Sequence, residues 1–195
     1  MKSQARVVII GGGVVGAGTL YHLTKKGCSD AVLIERKELT SGSTWHAAGL
    51  LPLFNMSYSV GQLHRSSVEL YSQLEKDTGQ DVGLKKVGNI RLAMNRDRMD
   101  EYYQYAGVAA TIGVEVKFLT PEEIKDLWPL CNVHGLVGGI VHPEDGYIQP
   151  ADLTQALIKG SRSRGAEIYR NTNVSGINLL SSGEWEVNTS EGNII

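Results

Sequence analysis

The 195 residues carry 42% hydrophobic side chains, and 19 Lys plus Arg stand against 21 Asp plus Glu. That length and apolar content can bury a substantial core, and a net charge of −2 without a long single-sign run excludes the basic footprint of a nucleic-acid binder. Val7 to Val15, the longest apolar stretch near the start, is broken by three glycines and too short to cross a bilayer, so no membrane span is expected.

Met1 to Arg6 is too brief for a leader, and the chain is expected to begin at its first strand. Arg6 to Ile10 (RVVII) is a continuous β-branched run, as in a strand buried on both faces of a parallel sheet. Val14 to Lys26 reads as a helix with Gly27 as its C-terminal cap, and Ala31 to Glu35 (AVLIE) as a second buried strand, completing a βαβ unit. Leu39 to Gly49 is rich in Ser, Thr and Gly, which suits an ordered loop or short helix entry near a ligand. Val60 to Lys76 is spaced as a helix, Asn89 to Met94 alternates as a strand, and Arg96 to Ile112 reads as helical. Thr120, Pro121 and Glu123 form a helix start with Thr as N-cap, the helix running to about Trp128. Gly138 to His142, Glu167 to Tyr169, Val174 to Leu179 and Glu184 to Asn188 are expected strands, and Ala151 to Arg164 a helix. Glu184 to Asn188 can pair with a strand after Ser190, an element barely begun when the sequence ends at Ile195. Cys28 and Cys131 stand alone, which fits neither a zinc site nor a disulfide framework and suits a reducing, cytoplasmic setting.

Gly11, Gly13 and Gly16 form GxGxxG between the first strand and helix, and Glu35 closes the second strand nineteen residues after Gly16. The first glycine permits the tight turn, the second lets backbone approach a pyrophosphate, and the third lets helix pack on sheet, while amides at the helix N-terminus hold the anion. Glu35 is placed to accept hydrogen bonds from an adenosine ribose. An acid there disfavours a 2′-phosphorylated nucleotide but does not separate NAD from FAD.

The segment Ser41 to Leu50, SGSTWHAAGL, follows this GGGVVG turn and the strand ending in Glu35. In this it closely resembles the dimethylglycine and sarcosine dehydrogenase family of FAD-dependent amine oxidoreductases. The likeness continues through Glu69 to Gly83, Gly88 to Met94 and His142 to Pro150 (HPEDGYIQP), nearly the whole chain. The resemblance implies an α/β fold: a Rossmann-like FAD-binding domain with a parallel sheet, interrupted by part of an α+β substrate domain. Residues 1–50 and about 138–195 are then the FAD-binding portion and about 51–137 the insertion. It implies that His46 carries FAD covalently through a ring nitrogen. It implies also that Val14 and Val15 contact the pyrophosphate, Glu35 and Arg36 lie at the adenosine end, and Val174 meets the adenine. Gly42, Ser43, Thr44, Trp45, His46, Ala47, Ala48, Gly49 and Leu50 would wrap the flavin. Leu20 departs from the fingerprint, which favours a small residue there.

Asp145, Tyr147 and Gln149 lie on a turn that faces the substrate side in the relatives, although a helix-entry turn explains Asp-Gly and Pro150 equally well. His22, His64, His134 and His142 are expected in structural roles, and Tyr102, Tyr103 and Tyr105 in a packed helix face. The implied activity is oxidative N-demethylation of a small N-methylated glycine, with an electron-transfer flavoprotein or oxygen as acceptor and tetrahydrofolate on a C-terminal domain. A eukaryotic member would work in the mitochondrial matrix, although no transit peptide is expected in this sequence. Two other readings stand beside it: a non-covalent FAD amino-acid or glycerophosphate oxidoreductase, and a silent regulatory protein similar to a pyruvate dehydrogenase phosphatase regulator. A parallel sheet lacking strands beyond Ile195 would leave residues 1–195 alone unstable or only partly ordered.

Overall fold

In a computed structural model, which describes residues 1–53 and 57–195, β1 (Val7–Ile10), α1 (Val14–Lys25) and β2 (Ala31–Ile34) form the expected βαβ unit. Four further segments follow: a 3₁₀ turn (Ser43–His46), β3 (Leu50–Leu51), α2 (Tyr58–Thr78) and β4 (Lys85–Lys86). Next come β5 (Asn89–Ala93), α3 (Arg96–Thr111), β6 (Lys117–Leu119), α4 (Pro121–Leu127), β7 (Gly138–His142) and β8 (Gly146–Tyr147). The chain closes with α5 (Pro150–Arg162), β9 (Glu167–Tyr169), β10 (Val174–Leu179), β11 (Trp185–Thr189) and β12 (Gly192–Ile194).

Two compact units emerge. The first comprises Met1–Gly49, Gln73–Gly83 and Gln149–Ile195. Its parallel sheet runs β1-β2-β9, with Val7 opposite Ala31 and Val32 opposite Glu167. All four residues of β2 are buried, which is why the central strand reads as an unbroken apolar run. Helix α1 stops where expected: Gly27 adopts φ +90°, its amide donates to Thr24 O, and the Cys28 amide donates to Leu23 O at 3.0 Å. This pair of hydrogen bonds around a left-handed glycine is a Schellman closure. Helices α1 and α5 pack closely because Gly160 has no side chain, since a Cβ there would lie 2.7 Å from Tyr21 Cε2. Leu20 is fully buried. An antiparallel sheet, β10-β11-β12, adds Val187 and Ile194 to the core of Val32 and Ile34.

The second unit comprises Leu50–Ser72 and Leu84–Ile148. Its sheet β5-β7-β6 is antiparallel throughout, and Tyr105, Ala109, Ile112, Val114 and Ile140 pack as a core. Thr120 and Glu123 close the anticipated capping box on α4, each side chain accepting from the other's backbone amide. Here the structure differs from the boundaries read in the sequence. Gly138–Ile148 belongs with this unit because both neighbours of β7 are antiparallel strands within it, and Gln73–Gly83 belongs with the first. The Asp145-Gly146 pair is likewise no simple helix entry: Gly146 and Tyr147 are a strand held between β3 and β4. A Cβ on Gly146 would meet Lys85 O at 2.0 Å, so that pairing admits only glycine.

Candidate functional site

The glycine-rich turn sits at the carboxyl end of β1, and each glycine answers to a measurable constraint. Gly11 has φ +111°, a conformation side chains rarely adopt. A Cβ on Gly16 would lie 2.0 Å from Gly11 O, so nothing larger lets α1 approach its own strand. A Cβ on Gly13 would lie 2.9 Å from Thr44 Oγ1, and one on Gly12 would lie 2.9 Å from Glu35 Cβ, an atom next to the backbone that cannot swing away. Gly12 is therefore also required, a need the GxGxxG pattern leaves unmarked.

Glu35 faces this turn rather than open solvent. Its Oε2 accepts from the Gly12 amide at 2.7 Å and its Oε1 from the Lys37 amide at 2.8 Å. The carboxylate thus braces the turn from below while remaining half-buried at the groove wall. The Val14 amide, expected at the pyrophosphate, donates instead to Thr44 Oγ1 at 3.0 Å. Among the described residues the amides of Val15 and Gly16 retain no intramolecular partner, so they are the donors α1 offers an anion.

A groove of about 660 Å³ runs along this turn, within the size range of cofactor sites. Its walls include Gly11, Gly13, Val14, Val15, Gly16, Glu35, Arg36, Gly42, Ser43, Thr44 and Ala47. A second hollow of about 300 Å³ shares Ile10, Gly11, Glu35 and Arg36 with it and extends to Thr172, Asn173 and Val174. Together they trace a continuous path through the first unit, from Val174 past the glycine turn to the 3₁₀ turn. Ser41, which opens the SGSTWHAAGL segment, lines this path too, as do Thr19, Lys37, Thr172 and Asn173, which were not singled out in the sequence because no motif spacing marks them.

Trp45, His46, Ala48, Gly49 and Leu50 are not on the groove wall. Trp45 and His46 are exposed, and Leu50 belongs to β3, paired with Tyr147. His46 Nδ1 lies 3.0 Å from Gly42 O. A carbonyl only accepts, so Nδ1 carries the proton of the neutral ring and Nε2 presents its lone pair. The turn holding His46 begins at Thr40, a β-branched residue at φ +70°, which is an outlying conformation for such a side chain. Two bonds hold it there: the Thr40 amide donates to Gly12 O and the Trp45 amide to Thr40 O, each at 3.0 Å.

In the second unit a separate polar cluster lies around the HPEDGY segment. Asp145 and His142 are each 1% exposed. Asp145 Oδ1 accepts from the Leu53 amide at 2.8 Å, while its Oδ2 has no hydrogen-bond partner among the described residues. Burial pushes the Asp145 carboxyl up, against the Leu53 amide and the charges of His142, Arg91 and His64, and pushes the His142 imidazole down. The Tyr105 ring lies 5.4 Å from that of His142 and 4.9 Å from the Arg91 guanidinium carbon, and burial raises its hydroxyl to about 12. Tyr102 bonds Leu92 O and Tyr103 stacks on Phe118, as helix-face aromatics do. Asp145 therefore secures Leu53. No group of His, Cys, Asp and Glu among the described residues is arranged to hold a metal ion, and no helix among them is long and apolar enough to cross a membrane.

A strand, a glycine turn, a helix N-terminus with open amides and an acid closing the next strand define an α/β dinucleotide-binding protein. The chain belongs to the FAD dependent oxidoreductase family, whose pattern matches residues 6–195. It is 41% identical over 193 residues to human dimethylglycine dehydrogenase, mitochondrial, covering 99% of this chain and 22% of that protein. Against human sarcosine dehydrogenase, mitochondrial, identity is 42% over 180 residues, covering 92% and 20%. The mouse pyruvate dehydrogenase phosphatase regulatory subunit, mitochondrial, is 35% identical over 194 residues, covering 100% and 22%. The chain thus spans about a fifth of the length of these relatives. Among solved structures, glycine oxidase from Geobacillus kaustophilus superposes with a TM-score of 0.85 at 30% identity, covering 99% of this chain and 53% of that one.

Proposed function

We propose that the protein binds FAD along the first-unit groove, carries it covalently on His46, and serves oxidative N-demethylation of a small N-methylated glycine such as dimethylglycine or sarcosine. The observation that carries the cofactor assignment is the glycine cradle, whose Gly13 and Gly16 a Cβ would fill, beside the open amides of Val15 and Gly16. Those amides and the dipole of α1 hold the pyrophosphate, Glu35 and Arg36 meet the adenosine, and the Val174 backbone meets the adenine. Gly42, Ser43, Thr44 and Ala47 flank the flavin side, with Trp45, Ala48, Gly49 and Leu50 continuing that segment.

When bound, FAD supplies a hydride acceptor at the flavin N5. His46 is suited to attachment because the Gly42 carbonyl fixes its Nδ1 proton and leaves Nε2 nucleophilic. Attachment would join Nε2 to the flavin 8α-methyl carbon in place of one methyl C–H bond; that proton and the Nδ1 proton would pass to solvent, and two electrons to dioxygen or another two-electron acceptor. The substrate class rests on the likeness to the dimethylglycine and sarcosine dehydrogenases, as do an electron-transfer flavoprotein or oxygen as turnover acceptor, tetrahydrofolate as carbon acceptor and a mitochondrial or cytoplasmic setting.

The likeness to the phosphatase regulatory subunit supports a second reading, an FAD-fold regulator without turnover. One experiment separates them. The full-length protein is precipitated with acid beside His46→Ala, and flavin fluorescence is followed into pellet and supernatant. Flavin in the wild-type pellet alone supports the proposal. Flavin in both supernatants favours a non-covalent oxidoreductase, and no flavin at all favours the regulator.

A further inference from the structure

We infer that Thr44 is a positioning residue for flavin attachment, its hydroxyl locking the turn that bears His46 onto the N-terminus of α1. The inference rests on the proposal that His46 is the attachment point. Helix α1 lacks a cap of its own: Gly13 has no side chain to accept a bond, and the first turn contains no acid. Thr44 supplies that cap from thirty residues away, its Oγ1 accepting from the Val14 amide at 3.0 Å while the side chain is buried to 7% exposure. A cap provided by a distant turn does two things at once. It satisfies a helix-terminal donor, and it fixes the turn relative to the helix.

The lock is tight on both sides. Thr44 Oγ1 lies where a Cβ of Gly13 would come within 2.9 Å, so the helix start leaves room for this hydroxyl and no more. On the turn side, the Ala47 amide donates to Thr44 O at 3.2 Å, which places His46 inside a closed loop anchored by Thr44. Among the described residues the exposed His46 side chain has a hydrogen bond only with the Gly42 carbonyl, so its own side chain does little to fix its position.

Attachment requires Nε2 to meet one carbon at bonding distance and angle, and misplacement by about 1 Å costs such a step on the order of 10²-fold. Removing the hydroxyl frees the turn without touching the nucleophile. The test uses full-length apoprotein, added FAD, and the time course of acid-stable flavin, with total bound FAD measured separately by gel filtration before acid. Thr44→Val is expected to bind FAD and attach it between about tenfold and 10²-fold more slowly, and Thr44→Ser to attach it at close to the wild-type rate. Thr44→Ala replaces the valine variant if that one fails to fold.

Wild-type attachment rates in the hydroxyl-less variant, with none in His46→Ala, would overturn the positioning role and leave the attachment site standing. So would a serine variant as slow as the valine one, or a folded valine variant that binds no FAD, which would make Thr44 a binding group instead. Acid-stable flavin persisting in His46→Ala would overturn the underlying assignment itself.

Discussion

Alanine at Gly16 and alanine at Gly18 make the same chemical change in the same helix, two residues apart, and are expected to act in opposite directions. At Gly16 the new Cβ would stand 2.0 Å from Gly11 O and 3.3 Å from Ile9 Cγ2, whereas real Cβ atoms essentially never have a non-bonded neighbour under 3.0 Å. Helix and strand must therefore part by about 1 Å, and the atom met is backbone, which cannot rotate away. Overpacking of this kind costs about 1–3 kcal/mol, and a clash with backbone belongs at the upper end. Alanine's advantage in a helix returns about 0.8–1 kcal/mol, leaving a net loss of about 2 kcal/mol. At Gly18 no atom lies within 4 Å of the added Cβ, so only the helix gain remains. For a domain of this size the expected shifts in Tm are roughly 4–8 °C down for Gly16→Ala and roughly 2–3 °C up for Gly18→Ala. Thermal melts of the full-length protein by circular dichroism, with bound FAD measured alongside, check both. Equal stability of Gly16→Ala and wild type, or greater damage from Gly18→Ala, would refute the close-approach argument.

Glu35→Gln keeps the shape but turns a donor toward one of two backbone amides, Gly12 or Lys37. Bonds to a charged acceptor are worth about 1.5–3 kcal/mol, so the dissociation constant for FAD should rise at least about tenfold by titration of the apoprotein. An unchanged affinity contradicts the brace. Burial raises the Asp145 pKa above its ordinary 3.8, so the folded state holds this proton more tightly than the unfolded one, and stability should fall as pH rises from about 4 through the raised value. The lowered His142 acts oppositely, its contribution being present above 6.5 and lost as pH falls. Asp145→Asn should remove the first slope and leave the second in denaturant melts run across pH; persistence of both slopes would show that Asp145 does not titrate as described. Strand β1 ends its sheet, beside a hollow of about 550 Å³ that includes Ile177, Trp185 and Val187. Ile177 and Trp185 are 51% and 58% exposed. An open edge next to apolar surface favours strand pairing between molecules, so residues 1–195 alone should self-associate with concentration in sedimentation velocity, less so with Trp185→Lys. A monomer at every concentration would contradict this.

The βαβ unit was legible because its signals are local. A strand buried on both faces must be apolar throughout, a helix that touches its own strand must carry glycine at the contact, and a left-handed closure selects Gly27. The Thr120 capping box was readable for the same reason, all of its partners lying within three residues. Strands β3, β4 and β8 were not, since two-residue strands are too short for a period to show. Their pairing decides where HPEDGY sits, and the unit boundary there went astray with it. The groove residues of the fingerprint were found by spacing, but the bond that shapes the first-unit groove joins Thr44 to Val14, thirty residues apart, and in the second unit the Leu53 amide meets Asp145 across ninety-two residues. A hydroxyl and a carboxylate chosen for distant backbone amides leave no mark on their neighbours. The burial of Asp145 is of the same kind, visible only once β8 has a sheet to join.

Trypsin should release residues 38–65 as one peptide carrying the 3₁₀ turn. Mass spectrometry of that peptide from full-length protein tests covalent attachment most directly. A flavin adduct whose fragments place it on His46 is expected; an unmodified peptide from protein that had bound FAD would contradict covalent attachment there.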